Sequence, residues 1–148
     1  MLKLPPPIWA LAYVLIAFGV SRFAGPHRTG NGLAIPIGLV LIGAGLALAI
    51  AAAILFRREN TELNPTSTTN SKLVTSGPFR LTRNPMYLGL LFVTLGIAFC
   101  VGTWPMFLAP VAIFATTNWV HIPFEEAKMR RQFGDIFALY TQKVRRWI

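Results

Sequence analysis

Long apolar stretches alternate with short polar, basic ones along this chain. Four apolar segments stand out, at about Ile8 to Ala24, Leu33 to Phe56, about Pro85 to Val101 and about Trp104 to Ile122. The second contains no charged residue. As a helix it would be ~36 Å long, more than the ~30 Å hydrocarbon core of a bilayer. Gly102 to Pro105 (GTWP) leaves room only for a tight turn, so the third and fourth segments should form a helical hairpin. The first segment reads as a retained helix and not as a signal peptide. Its basic flank is Lys3 alone, and no clear small-residue cleavage site precedes Arg22.

After Pro123 the pattern changes. Met129, Phe133, Phe137, Tyr140 and Val144 recur at steps of three and four, one apolar face of an amphipathic helix, with basic residues over much of the rest. Glycine is a poor helix former, so Gly134 should break or bend this helix. In the second segment Gly43, Ala47 and Ala51 share a face, a stripe that suits close helix packing or pairing with a second copy. The expected fold is an all-α membrane protein. It has four transmembrane helices and a C-terminal amphipathic helix, in one domain spanning residues 1–148.

Composition narrows the class. The chain is 54% hydrophobic and 13% charged, with a formal net charge of +9 and a mean hydropathy of +0.55. A basic balance suits nucleic acid or an anionic membrane surface. Apolar spans of this length decide for the membrane, with no nucleic-acid partner. The single cysteine, Cys100, lies in an apolar run, so neither a disulfide framework nor a metal site is expected. If the chain crosses four times from a cytoplasmic N-terminus, all of its lysines and arginines except Arg22 and Arg28 fall inside. The positive-inside bias therefore puts both termini and both polar segments, 57–84 and 123–148, on the cytoplasmic face.

The segment with the most candidate chemistry is Leu73 to Gly89, LVTSGPFRLTRNPMYLG. Asn84-Pro85 reads as a helix start, with Asn84 as the cap and proline at the first helical position. Free N–H groups and the positive dipole end there favour an anion. Arg83 offers a fork for a carboxylate, and Tyr87 brings a ring and a hydroxyl to the same end. Gly89 removes a side chain where a flat group could pack. The Gly77-Pro78 turn can fold Lys72-Leu73-Val74 back against the helix. Two of only five acidic residues, Glu125 and Glu126, stand adjacent at the membrane edge. Each feature alone has a plainer role: Arg83 with lipid headgroups, Tyr87 in an aromatic belt, the glutamates complementing a helix dipole. Their convergence points to a site, with one glutamate structural and the other a ligand. His27 reads as a solvated loop residue, His121 as an interfacial one, and Thr116, Thr117 and Asn118 as interhelical hydrogen bonders. Trp9, Trp104, Trp119 and Trp147 read as aromatic belts.

The pattern of Leu73 to Gly89, the Glu125-Glu126 pair and the tail FGDIFALYTQKVRRWI resembles the isoprenylcysteine carboxyl methyltransferase and phospholipid methyltransferase family of integral membrane enzymes, over roughly residues 60 to 148. The resemblance implies an S-adenosylmethionine pocket lined by Ser71, Lys72, Leu73, Val74, Phe79, Asn84, Pro85, Met86, Tyr87 and Glu125 or Glu126, with Asn64 contributing and Arg83 beside it. That cofactor carries a carboxylate, an amine, a cationic centre and a flat ring, which match the groups above. Arg83 and Glu126 would orient acceptor and donor. Asn84 stands where the eukaryotic carboxyl methyltransferases have histidine, and His121-Ile122-Pro123 occupy the neighbourhood of their substrate-carboxylate arginine.

The implied activity is methyl transfer to a lipophilic, membrane-delivered acceptor, the carboxylate or thiol of an isoprenylcysteine-like compound, at the cytoplasmic membrane of a prokaryote. A phospholipid amine is the alternative acceptor. A non-catalytic scaffold that binds anionic lipid is the alternative of another class, and it predicts no cofactor affinity. The chain is short for a reductase with an added nicotinamide pocket.

Overall fold

The computed structural model describes residues 4–23, 32–58 and 73–148. They form α1 (Pro6–Phe23), α2 (Ala34–Arg58), a 3₁₀ turn (Gly77–Arg80), α3 (Pro85–Val101), a second 3₁₀ turn (Trp104–Phe107), α4 (Leu108–Thr116), a π turn (Thr117–His121) and α5 (Ile122–Lys143). Among the described residues three helical stretches are long and apolar enough to cross a membrane, Pro6–Phe23, Ala34–Arg58 and Trp104–Lys143, and the apolar Pro85–Val101 is shorter. Large apolar side chains cover the outsides of α1 and α2; Val40 is 70% exposed and Leu15 61%. Water would not tolerate such a surface, whereas lipid does. This is an integral membrane protein.

The helix ends follow local chemistry. Gly102 takes the left-handed conformation (φ 68°) that closes α3, and its N–H donates to Ala98 O, so the expected hairpin forms. Gly134 breaks helical geometry inside α5 (φ 48°, ψ −123°), as expected of glycine there. The boundary expected at Pro123 is absent. Pro123 sits at the second residue of α5, and the π turn just ahead of it accommodates the missing N–H while carrying α4 into α5 without a break. The amphipathic segment is therefore a continuation of the fourth apolar helix.

The α2–α3 seam is the most extensive helix contact, and it corrects the expected packing stripe. Gly43, Ala47 and Ala51 are exposed. Gly38, Gly45 and Ala52 face inward instead. A Cβ on Gly45 would lie 2.5 Å from Gly89 O, and one on Gly96 2.5 Å from Gly38 O. Backbone meets backbone at both crossings. Gly45→Ala is expected to force the helices apart and cost about 1–3 kcal/mol, the usual cost of overpacking. Thermal unfolding in detergent would register it, with the exposed Gly43→Ala as the unaffected control.

α1 leans on α3, α4 and the second 3₁₀ turn. Tyr13 Oη lies 2.8 Å from Thr116 Oγ1, and Ser21 Oγ 2.8 Å from Thr103 Oγ1, so hydroxyl pairs join α1 to the hairpin. The interhelical role expected of Thr116 holds. Thr117 instead donates to Ile113 O of its own helix (2.7 Å).

Candidate functional site

The first 3₁₀ turn, the start of α3 and the start of α5 converge on one cavity. Gly77 adopts φ +56°, which lets the chain fold Val74 and Phe79 against Ala52 of α2. Phe79 also meets Phe56 edge-on, with ring centroids 5.2 Å apart. Tyr140 Oη of α5 donates to Phe79 O (2.6 Å), which pins the turn from its other side.

Asn84 is the N-cap residue of α3 by position, but its side chain makes no cap bond. It donates instead to Arg146 O (2.9 Å). The C-terminal residues explain the difference. Residues 144–147 run as a strap beneath the 82–84 corner. Thr82 Oγ1 donates to Arg146 O (3.0 Å), Arg83 N to Arg145 O (3.0 Å), and Arg83 Nη1 to Thr141 O (3.1 Å) and Val144 O (2.8 Å). Asn118, in the π turn, accepts from Trp147 Nε1 (3.1 Å), and the Trp147 ring lies on Phe114 (5.2 Å).

Glu126 sits at the centre of this clasp. Its two oxygens meet Arg83 Nη2 (2.8 Å) and Arg146 Nη2 (2.7 Å). Burial alone would raise its carboxyl, but the Arg146 and Arg83 guanidiniums outweigh burial and hold it below the usual carboxylate range. The carboxylate that Arg83 was expected to grip is thus Glu126 itself.

Glu125 differs. Its Oε1 accepts a short hydrogen bond from Tyr87 Oη. It follows the apolar part of the fourth helix, and burial pushes its carboxyl up to about 7, against the lowering effects of Tyr87 and Lys128. Adjacent glutamates are therefore divided in role, one locked between arginines and one presented on a tyrosine. His121, expected at an interface, is buried (2% exposed). Its Nδ1 lies 3.3 Å from Thr116 O, and Nε2 is buried without a partner. Because a carbonyl can only accept, the ring proton belongs on Nδ1.

A cavity of about 440 Å³ joins these groups. At one end it is lined by Arg83, Asn84, Tyr87, Glu125 and Glu126, with Leu73, Val74, Phe79, Pro85 and Met86 around them. Every site residue expected from sequence within the described residues therefore lines one cavity, while Ser71, Lys72 and Asn64 lie outside the described residues. Gly89 lines the cavity too, although its lack of a side chain is required by Gly45 across the seam. Arg146, Thr82 and Asn118 were not legible as parts of the site. Among the described residues no cluster of potential metal ligands occurs.

The donor set fits S-adenosylmethionine. The α3 N-terminus, with N–H groups not used by its own helix, suits a carboxylate. Glu125 suits an ammonium or sulfonium, and Tyr87 and Phe79 offer aromatic faces to a cation or a flat ring.

The family model of phospholipid methyltransferases matches residues 33–136. A probable protein-S-isoprenylcysteine O-methyltransferase of Oryza sativa is 31% identical over 73% of this chain and 57% of its own length. Protein-S-isoprenylcysteine O-methyltransferase B of Arabidopsis thaliana is 32% identical over 72% of this chain and 55% of its own. The chain thus spans a little over half the length of these plant relatives. An uncharacterized protein of Haemophilus influenzae is 35% identical over 43% of this chain and the whole of its own length. No solved structure matches.

Proposed function

The chain belongs to the phospholipid methyltransferase family, and on that premise we propose that it transfers a methyl group from S-adenosylmethionine to a lipophilic acceptor delivered by the bilayer. The observation that carries this reading is the single cavity in which Tyr87 and Glu125 meet the α3 N-terminus. The cofactor, when bound, supplies an activated methyl group. The protein's part is to position the reactants and exclude water. Glu125 and Tyr87 hold the cationic end. Arg83 and Glu126 orient through the clasp, keeping the 82–84 corner in place. We also propose four crossings, with both termini and the polar end of the cavity on the cytoplasmic side of a prokaryotic membrane. The basic residues at 57–58, 80–83 and 128–146 support that orientation.

Transfer to the carboxylate or thiol of an isoprenylcysteine-like compound is the first reading of the acceptor, in line with the names of the plant relatives. One observation favours an amine instead. The Nη groups of Arg83 and Arg146 donate to Glu126, Asn118 and strap carbonyls, so neither guanidinium faces a carboxylate acceptor with its full fork. An amine must shed a proton, so its turnover should climb with pH well above neutrality, whereas a carboxylate's should not. Radiolabelled methyl transfer to single acceptors across pH separates the two.

Glu125 also sets a pH dependence for cofactor affinity. Burial pushes its carboxyl up to about 7, and a cationic ligand selects the ionised form. Affinity for S-adenosylhomocysteine, whose ammonium remains, should rise as pH climbs through about 7 and then level off. In Glu125→Gln the profile should be flat, and titration calorimetry at several pH values checks both.

A further inference from the structure

Past Gly134 the chain turns back toward the bilayer. Trp147 lies on Phe114 and donates to Asn118, and both partners precede Glu126 in the continuous fourth helix. Phe114 stands twelve residues before Glu126, ~18 Å along that helix, on its apolar side. The strap therefore re-enters the apolar layer, and residues 135–143 lead into it. That segment is ~13 Å long as a helix, so it cannot stand far from the membrane surface. It has three sides. Phe137 and Tyr140 are buried and line the cavity. Asp135, Ala138 and Gln142 are exposed and carry no large apolar group. Ile136, Leu139 and Lys143, at steps of three and four, share the third side. Ile136 is 65% exposed and Leu139 57%. The apolar face that the periodicity marks, with Phe137 and Tyr140, is thus spent inside the protein, and Ile136 and Leu139 form a second apolar edge. Charge surrounds that edge. From Ala127 to Ile148 six residues are basic and only Asp135 is acidic. Arg146 is committed to Glu126, while Arg130, Arg131, Lys143 and Arg145 are exposed.

We propose that the Ile136–Leu139–Lys143 edge of α5 rests on an anionic bilayer surface, with Ile136 and Leu139 in the apolar boundary and Lys143 and Arg145 on lipid phosphates. Two large apolar side chains beside exposed cations match the two layers of such a surface. The long stem of Lys143 can lie along the apolar boundary while its ammonium reaches the headgroups. The bilayer is also the partner already at hand, because the strap that follows the helix enters it. The contact has a consequence for the cavity. Tyr140, on the neighbouring side of the same helix, donates to Phe79 O, so a surface that holds this edge also holds one wall of the cavity. The inference stands apart from the proposed function, since it needs neither cofactor nor acceptor.

The test uses the full chain in nanodiscs of phosphatidylcholine, alone or mixed with phosphatidylglycerol. Cys100 is the single cysteine, so a Cys100→Ala background accepts one nitroxide label at a time, through Ile136→Cys, Leu139→Cys or Gln142→Cys. Relaxation by oxygen reports lipid around the label, and relaxation by a water-soluble nickel chelate reports water. With phosphatidylglycerol present, the labels at 136 and 139 should favour oxygen over the chelate by about tenfold more than the label at 142. Lys143→Gln and Arg145→Gln should each cut that preference by about fivefold, the worth of one cation near an anionic surface. Lys143→Arg should keep it. Added salt should weaken it, and so should discs of phosphatidylcholine alone. A label placed by Leu15→Cys on the outer face of α1 should report lipid in every disc and show that the fold is kept. A label at 139 as open to the chelate as the one at 142 would overturn the proposal, as would equal lipid contact with and without phosphatidylglycerol. Shielding of 139 from both reagents would also overturn it, because a second copy or another protein would then cover the edge.

Discussion

Glu126→Ala is expected to be the most damaging single substitution in the site. The change removes a buried carboxylate from between two arginines, Arg83 and Arg146, and leaves two cations facing each other, Arg83 buried and Arg146 partly open to solvent. Breaking a buried ion pair from one side typically costs about 3–5 kcal/mol. The loss spreads because Arg83 also holds the last turn of α5 through Thr141 O and the strap through Val144 O. Cofactor binding and the melting transition should therefore fail together. Arg146→Ala should do less, since it deletes one of the two cations and leaves the Arg83–Glu126 pair. The double variant Glu126→Ala/Arg146→Ala should recover part of the stability lost in Glu126→Ala, because it removes one of the stranded charges. Thermal unfolding followed through Trp147, which stacks on Phe114, in a background where the other three tryptophans are phenylalanine, reads the clasp. Equal melting of wild type and Glu126→Ala would show that the arginine pair does not hold the strap.

The second large effect is expected at Tyr87 and Glu125, and for Glu125→Gln and Tyr87→Phe it should fall on ligand affinity, with stability nearly unchanged. Glu125→Gln keeps the size of the side chain and removes its charge. Hydrogen bonds to charged groups are worth about 1.5–3 kcal/mol, so affinity for S-adenosylhomocysteine should fall by about ten- to a hundredfold. Tyr87→Phe keeps the ring but takes away the hydroxyl that Glu125 accepts from, and should weaken binding by a smaller factor. Tyr87→Ala removes the ring as well and should match or exceed Glu125→Gln. Side-by-side calorimetry and melting curves make the distinction, since Glu126 variants should shift both and Glu125 variants only the first.

Much of this site could be read from residue types at fixed spacing. Asn84-Pro85 marked the start of α3, Gly102 its end and Gly134 the bend in α5, because each rests on a local backbone preference that few other residues share. The convergence of Val74, Phe79, Tyr87 and the glutamates was legible for a different reason: they belong to one ordered pattern. What escaped the sequence was decided by partners far along the chain. The strap binds through the carbonyls of Val144, Arg145 and Arg146, groups that every residue possesses, so no side-chain pattern announced it. Asn84 lost its capping role to one of those carbonyls. The packing face of α2 was misassigned because Gly43, Ala47 and Ala51 make as good a stripe as Gly38, Gly45 and Ala52. The signal that could have chosen between them lay on α3, where Gly89 and Gly96 repeat the seven-residue spacing of Gly38 and Gly45. His121 looked interfacial by its place at the end of an apolar run, and the π turn carried it inward.

The most direct test of the central claim is calorimetric titration of S-adenosylhomocysteine into the purified protein in detergent at a pH above 7, with Glu125→Gln alongside. Saturable binding by wild type, weakened at least tenfold in a Glu125→Gln protein that melts like wild type, is the predicted result. Absence of binding by wild-type protein with a cooperative melting transition would contradict the account and favour a membrane scaffold that holds anionic lipid.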